Sequence, residues 1–301
     1  MILCCGEALI DMLPRQTSEG RAAFAPHAGG SVFNTAIALG RLGAQVQFFS
    51  GLSTDLFGDV LRNELTASGV DIAPAALSDR PTTLAFVTLT DGHASYAFYD
   101  ENTAGRMLSV DDLPKVTAEA LFFGGISLVV EPCGAAYEAL MLREAGSRVT
   151  MIDPNIRPGF IADEDAYRAR LTRMLAAADI IKTSDEDLAW ITGTANAEAL
   201  LQMSGAQVGL LTRGGDGVTV VTGRGAFDVP AEKAKVVDTV GAGDTFSAGF
   251  LTSLDKQGVL TKSGIASVMD NQLADATAFG AKVAAITVGR AGANPPWAAE
   301  L

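Results

Sequence analysis

The chain has 301 residues, of which 48% are hydrophobic, and a formal net charge of −13 at pH 7. A chain of this length and composition can bury a large core, so one large α/β domain with a small appendage is expected and disorder is not. The negative charge repels nucleic acid and anionic membrane surfaces, so neither is expected as a partner. Three cysteines without CxxC spacing and only two histidines argue against a zinc or iron–sulfur cluster.

The first residues are apolar but are interrupted by acidic side chains. The run MILCCGEALIDML itself contains no basic n-region, and Glu7 and Asp11 lie within it. Neither a signal peptide nor a membrane anchor has this pattern, so a cytoplasmic location is expected. Residues 1–10 are predicted to form one buried strand, with Glu7 in a structural role.

Most of the remaining chain alternates short apolar runs with segments of helical spacing. Helices are predicted where apolar residues recur at helical spacing, and strands where short apolar runs lie between turn residues. The predicted strands are residues 46–50, 120–123, 149–153, 180–182, 208–212, 218–222 and 226–230, and the predicted helices are residues 31–42, 56–68, 135–145, 166–177, 185–192, 195–204, 242–254 and 265–279. Such alternation indicates an α/β fold with a mostly parallel sheet.

Residues 82–101 have a different pattern. Two runs rich in Thr, Val, Phe and Tyr flank Asp91 and Gly92, a pair that permits the positive φ of a tight hairpin. An antiparallel hairpin within an alternating chain suggests a small β lid outside the main sheet. We expect a single domain over residues 1–301, with the lid formed by residues 12–28 and 82–101.

A glycine-rich turn precedes a predicted helix in the last third of the chain, where residues 238–250 read DTVGAGDTFSAGF. Gly241 and Gly243 let the backbone bend so that N–H groups around Ala242 converge. The helix N-terminus adds partial positive charge, and together these features suit a phosphoryl group. Asp244 is a candidate general base for an attacking hydroxyl. A plain tight turn with Asp244 as helix N-cap is the alternative.

This run resembles the second signature of the ribokinase-like (PfkB) carbohydrate kinases, whose Gly-Ala-Gly-Asp turn carries the catalytic aspartate. Residues 28–43, AGGSVFNTAIALGRLG, are similar to the family's first signature. The resemblance implies that Gly29, Gly30 and Asn34 line a sugar site, since glycine admits a close ligand and an amide bonds hydroxyls. An ordinary turn into a helix is the alternative. Asp11 is similar to the family's sugar-binding acid at the end of the first strand, an exposed strand-end aspartate being the alternative.

The resemblance also implies a fold and a reaction, and is greatest to bacterial fructokinases. The implied fold is α/β, a ribokinase-like three-layer sandwich with a mostly parallel central sheet and a small β lid. The implied reaction is transfer of the γ-phosphate of ATP to a sugar hydroxymethyl group. Relatives often dimerise through the lid, so a homodimer is expected.

The run LTRGGDGV resembles the family's turn at the nucleotide triphosphate. The resemblance implies nucleotide contacts at Thr212 and Gly214, and also at Gly217, which is expected chiefly to serve the hairpin. The adenine wall is expected from the helix around residues 278–282 and from the loop that reaches Asn294.

The run SDED aligns with the family's Asn-x-x-Glu element, which governs magnesium and phosphate. Asp187 keeps the carboxylate and is expected to act on Mg²⁺ through water, whereas Ser184 replaces the amide. An acidic helix N-terminus is the alternative. Many relatives bind a monovalent cation, so K⁺ is expected beside Asp238, the Val240 carbonyl and residues 287–292.

The run DPNIR resembles the Asp-x-Asn-x-Arg element of fructokinase and 2-keto-3-deoxygluconate kinase relatives. Arg157 is expected to hold substrate oxygens, and Phe98 to cover the apolar face of the sugar. The lid lacks the arginine that keto-acid kinases present, and Asp100 and Glu101 would repel a sugar acid unless Arg106 compensates. We therefore expect D-fructose as the substrate. A 2-keto-3-deoxygluconate kinase and a non-catalytic nucleotide-binding α/β protein are the alternatives.

Overall fold

The structure, a computed structural model, describes residues 1–90, 93–194 and 196–301. Within them the strands are β1 Ile2–Cys5, β2 Leu9–Gln16, β3 Ala22–Gly29, β4 Val46–Phe49, β5 Gly51–Ser53, β6 Val70–Asp71, β7 Ala76–Ser78, β8 Leu84–Thr90, β9 His93–Tyr99, β10 Ala120–Gly124, β11 Val149–Asp153, β12 Ile180–Ser184, β13 Val208–Thr212, β14 Val218–Thr222 and β15 Gly225–Val229. The α-helices are α1 Ser31–Arg41, α2 Leu56–Ala67, α3 Cys133–Glu144, α4 Glu164–Ala177, α5 Asp185–Thr192, α6 Ala199–Gln202, α7 Ala242–Lys256, α8 Lys262–Ser267 and α9 Asp270–Val288. No helix of these ranges has the length and apolar character needed to cross a membrane.

Nine of the described strands form the central sheet, in the order β15-β14-β13-β12-β11-β10-β1-β4-β6. Pairing is parallel from β6 to β13 and antiparallel at β14 and β15. Along β1, Ile2 and Cys4 join one hydrophobic cluster and Leu3 and Cys5 the other, because successive side chains of a strand point to opposite faces. Helices α1, α7 and α9 cover one face, and α3 and α4 the other. The predicted three-layer sandwich with a mostly parallel sheet is confirmed.

A second sheet contains β3, β2, β8 and β9 in this order. β2 is antiparallel to β3 and parallel to β8, and β8 is antiparallel to β9. These strands fall in the predicted lid ranges 12–28 and 82–101, except that β2 already begins at Leu9 and β3 ends at Gly29. The predicted turn at Asp91 and Gly92 lies outside the described residues.

The prediction of one strand over residues 1–10 is wrong. β1 ends at Cys5 and β2 begins at Leu9, and the two strands belong to different sheets. An apolar run indicates that a segment is buried but does not indicate which strand lies beside it. The change from one sheet to the other is therefore not visible in the hydrophobic pattern. Asp11 consequently lies inside the second sheet, opposite His27 of β3, and not at the end of a central strand.

Two helix predictions also need correction. The segment 195–204 contains only the short helix α6, and residue 195 lies outside the described residues. The segment 265–279 spans the end of α8 and much of α9, which are separated by Val268 and Met269. Met269 has extended backbone angles, φ −88° and ψ 154°. Apolar spacing continues across this break, so periodicity alone does not reveal it.

Close packing of α7 positions the candidate base. A Cβ on Gly249 of α7 would lie 2.8 Å from Gly280 Cα of α9, and a Cβ on Gly280 would lie 2.8 Å from the Phe246 carbonyl oxygen. Larger residues would therefore force the two helices apart. α7 also contacts α1, where the Thr35 hydroxyl donates to the Asp244 carbonyl oxygen at 3.3 Å. The N-terminal turns of α1 and α7 thus lie side by side.

Candidate active site

A cleft of about 360 Å³ lies between the second sheet and the carboxyl ends of β10, β11 and β12. Ligand sites of open α/β sheets form at such strand ends. The predicted site residues that line the cleft are Asp11, Gly30, Asn34, Phe98, Arg157, Val240, Gly241, Ala242, Gly243 and Asp244. The predicted residues that do not line it are Gly29, Asp187, Thr212, Gly214, Gly217, Asp238 and Asn294.

The Asp244 carboxylate is held by two donors from α1. The Ser31 hydroxyl donates to Oδ1 at 2.7 Å, and the Asn34 amide donates to Oδ2 at 2.9 Å. Only 7% of Asp244 is exposed, and burial raises the pKa of its carboxyl, while the Asn34 and Ser31 donors oppose the rise. Gly241 is the N-cap residue of α7, and the Asp244 side chain does not cap the helix. The N-cap alternative is therefore wrong, and Asp244 faces the cleft.

The turn before α7 has the geometry of an anion site. Gly241 has a positive φ of 77°, a backbone angle that glycine adopts readily. The Ala242 N–H donates to the Thr239 carbonyl at 3.3 Å. The N–H groups of Gly241 and Gly243 have no acceptor among the described residues. Two of the three predicted donors are thus unused, at the positive end of a fifteen-residue helix.

Lys182 lies beneath this turn and was not predicted as a site residue. Its Nζ donates to Asp153 Oδ2 at 2.7 Å, and both side chains are almost fully buried. A Cβ on Gly243 would lie 2.9 Å from Nζ, so the ammonium group packs against the turn. A lysine inside a buried strand was the available signal, because such a residue needs a charged partner.

The charges of this pair depend on one another. Burial opposes the ammonium charge of Lys182, but nearby carboxylates, Asp153 first, raise its pKa overall. Burial raises the pKa of Asp153 to about 6, so at neutral pH both groups are ionised. The second carboxylate oxygen of Asp153, Oδ1, is buried and has no partner within the described residues. Lys182 therefore brings a positive charge to the cleft beside Gly243.

Asp11 brings an unpartnered carboxylate to the cleft. No hydrogen-bond donor or cation of the described residues contacts its side chain, and burial raises its pKa to about 6. A Cβ on Gly29 would lie 2.3 Å from Asp11 Oδ2. Gly29 therefore makes room for this carboxylate and does not itself line the cleft. A partly buried acceptor without a donor calls for an explanation, and a bound hydroxyl supplies one.

Gly30 also makes room for an acidic residue, the backbone and Cγ of Glu7. Gly30 has φ 110°, and a Cβ on it would lie 2.9 Å from the Glu7 carbonyl oxygen and 3.1 Å from Glu7 Cγ. The expectation that both glycines mainly admit a sugar is therefore incomplete. Each accommodates an acidic residue, Asp11 of β2 or Glu7 of the turn before it, and Gly30 additionally lines the cleft.

Aromatic and basic side chains line the outer part of the cleft. Phe98 stacks with Tyr96 at a centroid distance of 5.9 Å and meets Phe160 edge-on at 4.6 Å. Tyr96 was not predicted, although it lies two positions from Phe98 and so shares its face of β9. The Arg157 Nη1 donates to the Ile156 carbonyl at 3.0 Å, and no carboxylate of the described residues pairs with it.

The acidic run after β9 does not face the cleft as expected. Arg106 forms an ion pair with Asp100 at 3.0 Å, and both line a separate, smaller cavity. Glu101 is exposed and lines neither cavity. The interpretation that Asp100 and Glu101 repel a ligand there, or that Arg106 compensates, is therefore wrong. The carboxylates that line the cleft are those of Glu7, Asp11 and Asp244.

The residues predicted to bind the nucleotide lie at two separate positions, the turn between β13 and β14 and the loop at Asn294. The Thr212 hydroxyl donates to the Thr183 carbonyl at 3.2 Å, at the end of β13. Gly214 and Gly217 form the turn into β14, and a Cβ on Gly217 would lie 2.3 Å from the Val229 carbonyl oxygen, so this glycine has a structural role. The Asn294 side chain accepts from Arg41 Nη1 at 2.9 Å.

A second depression, of about 600 Å³, lies beside α9. Its lining includes three lysines, one acidic residue and an apolar side chain, namely Lys233, Lys235, Lys282, Glu232 and Ile286. The predicted adenine wall at residues 278–282 reaches this depression only through Lys282, and Asn294 does not line it. Basic and apolar groups together suit an anionic ligand with a flat apolar part.

The predicted cation ligands are engaged in hydrogen bonds. Asp187 Oδ1 accepts from the Ile156 N–H at 3.0 Å, and Ser184 and Asp187 form a capping box at α5. Asp238 accepts from the Val240 N–H at 3.0 Å and from the Gly292 N–H at 2.9 Å. Asp238 therefore joins the loops predicted to hold K⁺. No group of three acidic, histidine or cysteine residues in the described ranges has the geometry of a metal cage.

A doubly covered parallel sheet, a carboxylate at the start of a helix and unused N–H groups beside it define a phosphotransferase that acts on a hydroxyl group. The chain matches the pfkB family of carbohydrate kinases over residues 1–300 and belongs to that family. It is 53% identical over 278 residues to the fructokinase of Rhizobium leguminosarum bv. trifolii, covering 91% of this chain and 85% of that one. It is 33% identical to probable fructokinase-5 of Arabidopsis thaliana, covering 98% and 93%.

Solved structures resemble this fold over nearly its whole length. A fructokinase from Xylella fastidiosa with bound ATP has a TM-score of 0.89 and 31% identity, covering 97% of this chain and 93% of that one. A fructokinase from Vibrio cholerae O395 in a fructose, ADP and calcium ion bound form has a TM-score of 0.84 and 25% identity, covering 97% and 94%. The predicted ribokinase-like fold and the sugar kinase class are therefore confirmed, and a non-catalytic protein is not supported.

Proposed function

We propose that the protein is a fructokinase, which transfers the γ-phosphate of ATP to a hydroxymethyl oxygen of D-fructose. The observation that carries this proposal is one cleft that contains a buried base, unused N–H donors and an unpartnered acceptor for hydroxyls, namely Asp244, Gly241, Gly243 and Asp11. Relatives named fructokinase support the choice of sugar.

The charges of the cleft favour a neutral sugar. Three carboxylates line the cleft, those of Glu7, Asp11 and Asp244. Of the two cations that line it, Lys182 is paired with Asp153, and Arg157 has no carboxylate partner among the described residues. A sugar acid would meet net repulsion, while hydroxyl groups donate readily to carboxylates. These charges make 2-keto-3-deoxygluconate the weaker candidate.

The reaction needs little covalent chemistry from the protein. Asp11, Asn34 and Arg157 hold the sugar, and Phe98 with Tyr96 covers its apolar face. The hydroxymethyl oxygen attacks the γ-phosphorus, the bond from that phosphorus to the bridging oxygen breaks, and ADP leaves. Asp244 takes the hydroxyl proton as the new P–O bond forms. The N–H groups of Gly241 and Gly243 and the ammonium of Lys182 stabilise the charge on the phosphoryl oxygens.

The nucleotide and ions complete the proposal. We assign ATP to the depression lined by Lys233, Lys235 and Lys282, with its base against the apolar part, its negative charge favoured by the lysines and its γ-phosphate directed to the α7 turn. Mg²⁺, which typically binds through phosphates, water and one or two carboxylates, would neutralise phosphate charge. Its contact with Asp187 through water stays a prediction. The binding of K⁺ beside Asp238 also stays a prediction. It is supported by a related fructokinase described in a fructose, ADP and potassium ion bound form.

The second sheet is proposed as the lid over the sugar. Its inner face carries Phe98, whereas Phe24, Phe86 and Tyr99 form an aromatic cluster with centroid distances of 5.0 and 5.3 Å. Phe24 and Tyr99 are 43% and 62% exposed, which supports a homodimer through this outer face. The cytoplasmic location stays a prediction from the sequence.

A sugar panel tests the proposed substrate. ATP consumption should show a kcat/KM for D-fructose at least about tenfold above those for D-ribose, D-tagatose, inosine and 2-keto-3-deoxygluconate, because each lacks part of the matching contacts. Phosphorus–proton coupling in the product should identify the phosphorylated hydroxymethyl group. Preference for the sugar acid would contradict the choice of fructose but leave the kinase assignment intact.

Replacing Asp11 with Asn should separate binding from stability. Loss of a charge-assisted acceptor should raise the KM for fructose about 10- to 100-fold. Because burial raises the pKa of Asp11 to about 6, its folded-state contribution is present below the unfolded pKa and is lost as pH rises through 6. The variant should therefore be more stable by up to about 3 kcal/mol at pH 8 and by less than about 1 kcal/mol at pH 4.

Denaturant unfolding at the two pH values, with fructose kinetics on the same preparations, checks both parts of the Asp11 prediction. An unchanged KM would remove Asp11 from the sugar site. Equal stability of the two proteins at pH 8 would show that its carboxylate already has a partner.

A further inference from the structure

Ser31, the first residue of α1, connects Asp244 to a second buried carboxylate. Its hydroxyl donates to Asp244 Oδ1 at 2.7 Å, and its N–H donates to Glu7 Oε1 at 2.9 Å. The other Glu7 oxygen, Oε2, accepts from the Ser127 N–H at 3.3 Å. Glu7 is 9% exposed and lies in the turn between β1 and β2. Its carboxylate therefore ties the start of α1 to the turn after β10.

Two glycines of positive φ enclose the Glu7 side chain. A Cβ on Gly125, which has φ 72°, would lie 2.1 Å from Glu7 Oε1 and 2.3 Å from Oε2. A Cβ on Gly30 would lie 3.1 Å from Glu7 Cγ. Any side chain at Gly125 would displace the carboxylate, and the backbone angle there also disfavours one. The backbone at Gly30 and Gly125 thus leaves space for the Glu7 side chain in this one position.

The orientation of Asp244 depends on few contacts. The terminal torsion of an aspartate is soft, so the direction of its oxygens is set by its donors. The described donors to the carboxylate are the Ser31 hydroxyl and the Asn34 amide. Asn34 is also a proposed ligand of the sugar, so its amide is shared once substrate binds. Ser31 then remains as the donor that serves the carboxylate alone.

We propose that Glu7 and Ser31 are positioning residues for phosphoryl transfer. Glu7 holds the first turn of α1 through the Ser31 N–H, and the Ser31 hydroxyl keeps Asp244 directed at the acceptor hydroxyl. Neither residue takes the proton or touches the reacting atoms. The proposal rests on Asp244 being the base, which the experiments below test separately.

Ser31→Ala is the first test. Removing the hydroxyl should lower kcat about 10- to 100-fold and change the KM for fructose less than about threefold, because alignment and not binding is lost. Ser31→Thr, which keeps the hydroxyl, should recover most of kcat. Ser247→Ala is the matched control: it removes a hydroxyl from α7, one turn beyond Asp244, that has no partner in the described part of the chain. Its kcat should equal that of the wild type.

A double-mutant cycle tests whether the Ser31 hydroxyl affects kcat through Asp244. Ser31→Ala introduced into Asp244→Asn should cause no further loss of kcat, since a carboxylate that is absent needs no positioning. Glu7→Gln, of the same shape, keeps an acceptor for one N–H but presents a donor to the other. It should lower kcat about three- to tenfold with the KM for fructose unchanged.

Three results would overturn the positioning role. They are an unchanged kcat in Ser31→Ala, an equal loss in the wild-type and Asp244→Asn backgrounds, and an effect confined to the KM for fructose. If Asp244→Asn itself keeps wild-type kcat, the base assignment fails. If Asp244→Asn is impaired and Ser31→Ala is not, only the positioning role fails. Melting temperatures of all variants exclude unfolding as the cause.

Discussion

Replacement of Asp244 by asparagine is expected to lower kcat about 100- to 10,000-fold, the usual contribution of a positioned general base. Asparagine has the same shape but cannot take the hydroxyl proton at neutral pH. Its amide group would also face the Asn34 amide, which now donates to the carboxylate at 2.9 Å. The KM values for fructose and ATP should change little, because the loss falls on the transition state.

Asp255→Asn is the matched control for this variant. Asp255 lies on the same helix, α7, about three turns from Asp244, and does not line the cleft. The same loss of charge there should leave kcat unchanged. Steady-state ATP consumption with fructose measures both proteins. Turnover of Asp244→Asn within tenfold of wild type would remove the base role from this residue.

Replacement of Lys182 by methionine is expected to reduce both stability and activity. The change leaves Asp153 buried without its partner, which costs about 3–5 kcal/mol when the carboxylate stays ionised. Burial raises the pKa of Asp153 even with Lys182 present, and loss of the ammonium group raises it further, so protonation relieves more of this cost as the pH falls. The destabilisation should accordingly be larger at pH 8 than at pH 5. Loss of a cation beside Gly243 should lower kcat about 100- to 1,000-fold.

Two further variants separate these effects. Asp153→Asn combined with Lys182→Met removes both charges and should recover most of the stability but not kcat. Lys262→Met breaks another lysine–aspartate pair, to Asp179 at 2.7 Å, away from the cleft. It should lower stability and leave kcat unchanged. Full activity of the double variant would show that Lys182 acts only as the partner of Asp153.

The turn before α7 was predictable because its features are local. The positive φ of Gly241 and the start of the helix at Ala242 depend on residues adjacent in sequence. The acceptor of each N–H was not predictable. The Ala242 N–H is used by Thr239, and only the structure distinguishes it from the free groups on either side.

The glycine pair at the start of α1 was placed at the site by the sequence, but the reason for the two glycines was incomplete. Gly29 and Gly30 were expected to admit a sugar, yet Asp11 and Glu7 occupy the space that their side chains would need. A glycine marks a close approach, but the sequence does not say which group approaches. The same limit applies to Glu7, whose sequence position indicates a structural role but not its contact with Ser31.

The sequence by itself determined the alternation of strands and helices, the α/β class and the glycine turn with its aspartate at the start of α7, since each follows from neighbouring residues. The tertiary structure alone decided that Lys182 pairs with Asp153 and that Ser31 links Glu7 to Asp244. These partners lie 29, 24 and 213 positions apart in the chain. Hydrophobic periodicity records which face of an element is buried and carries no information on which distant element covers it. The charges that set the chemistry of the cleft therefore became visible only once the strands and helices were packed.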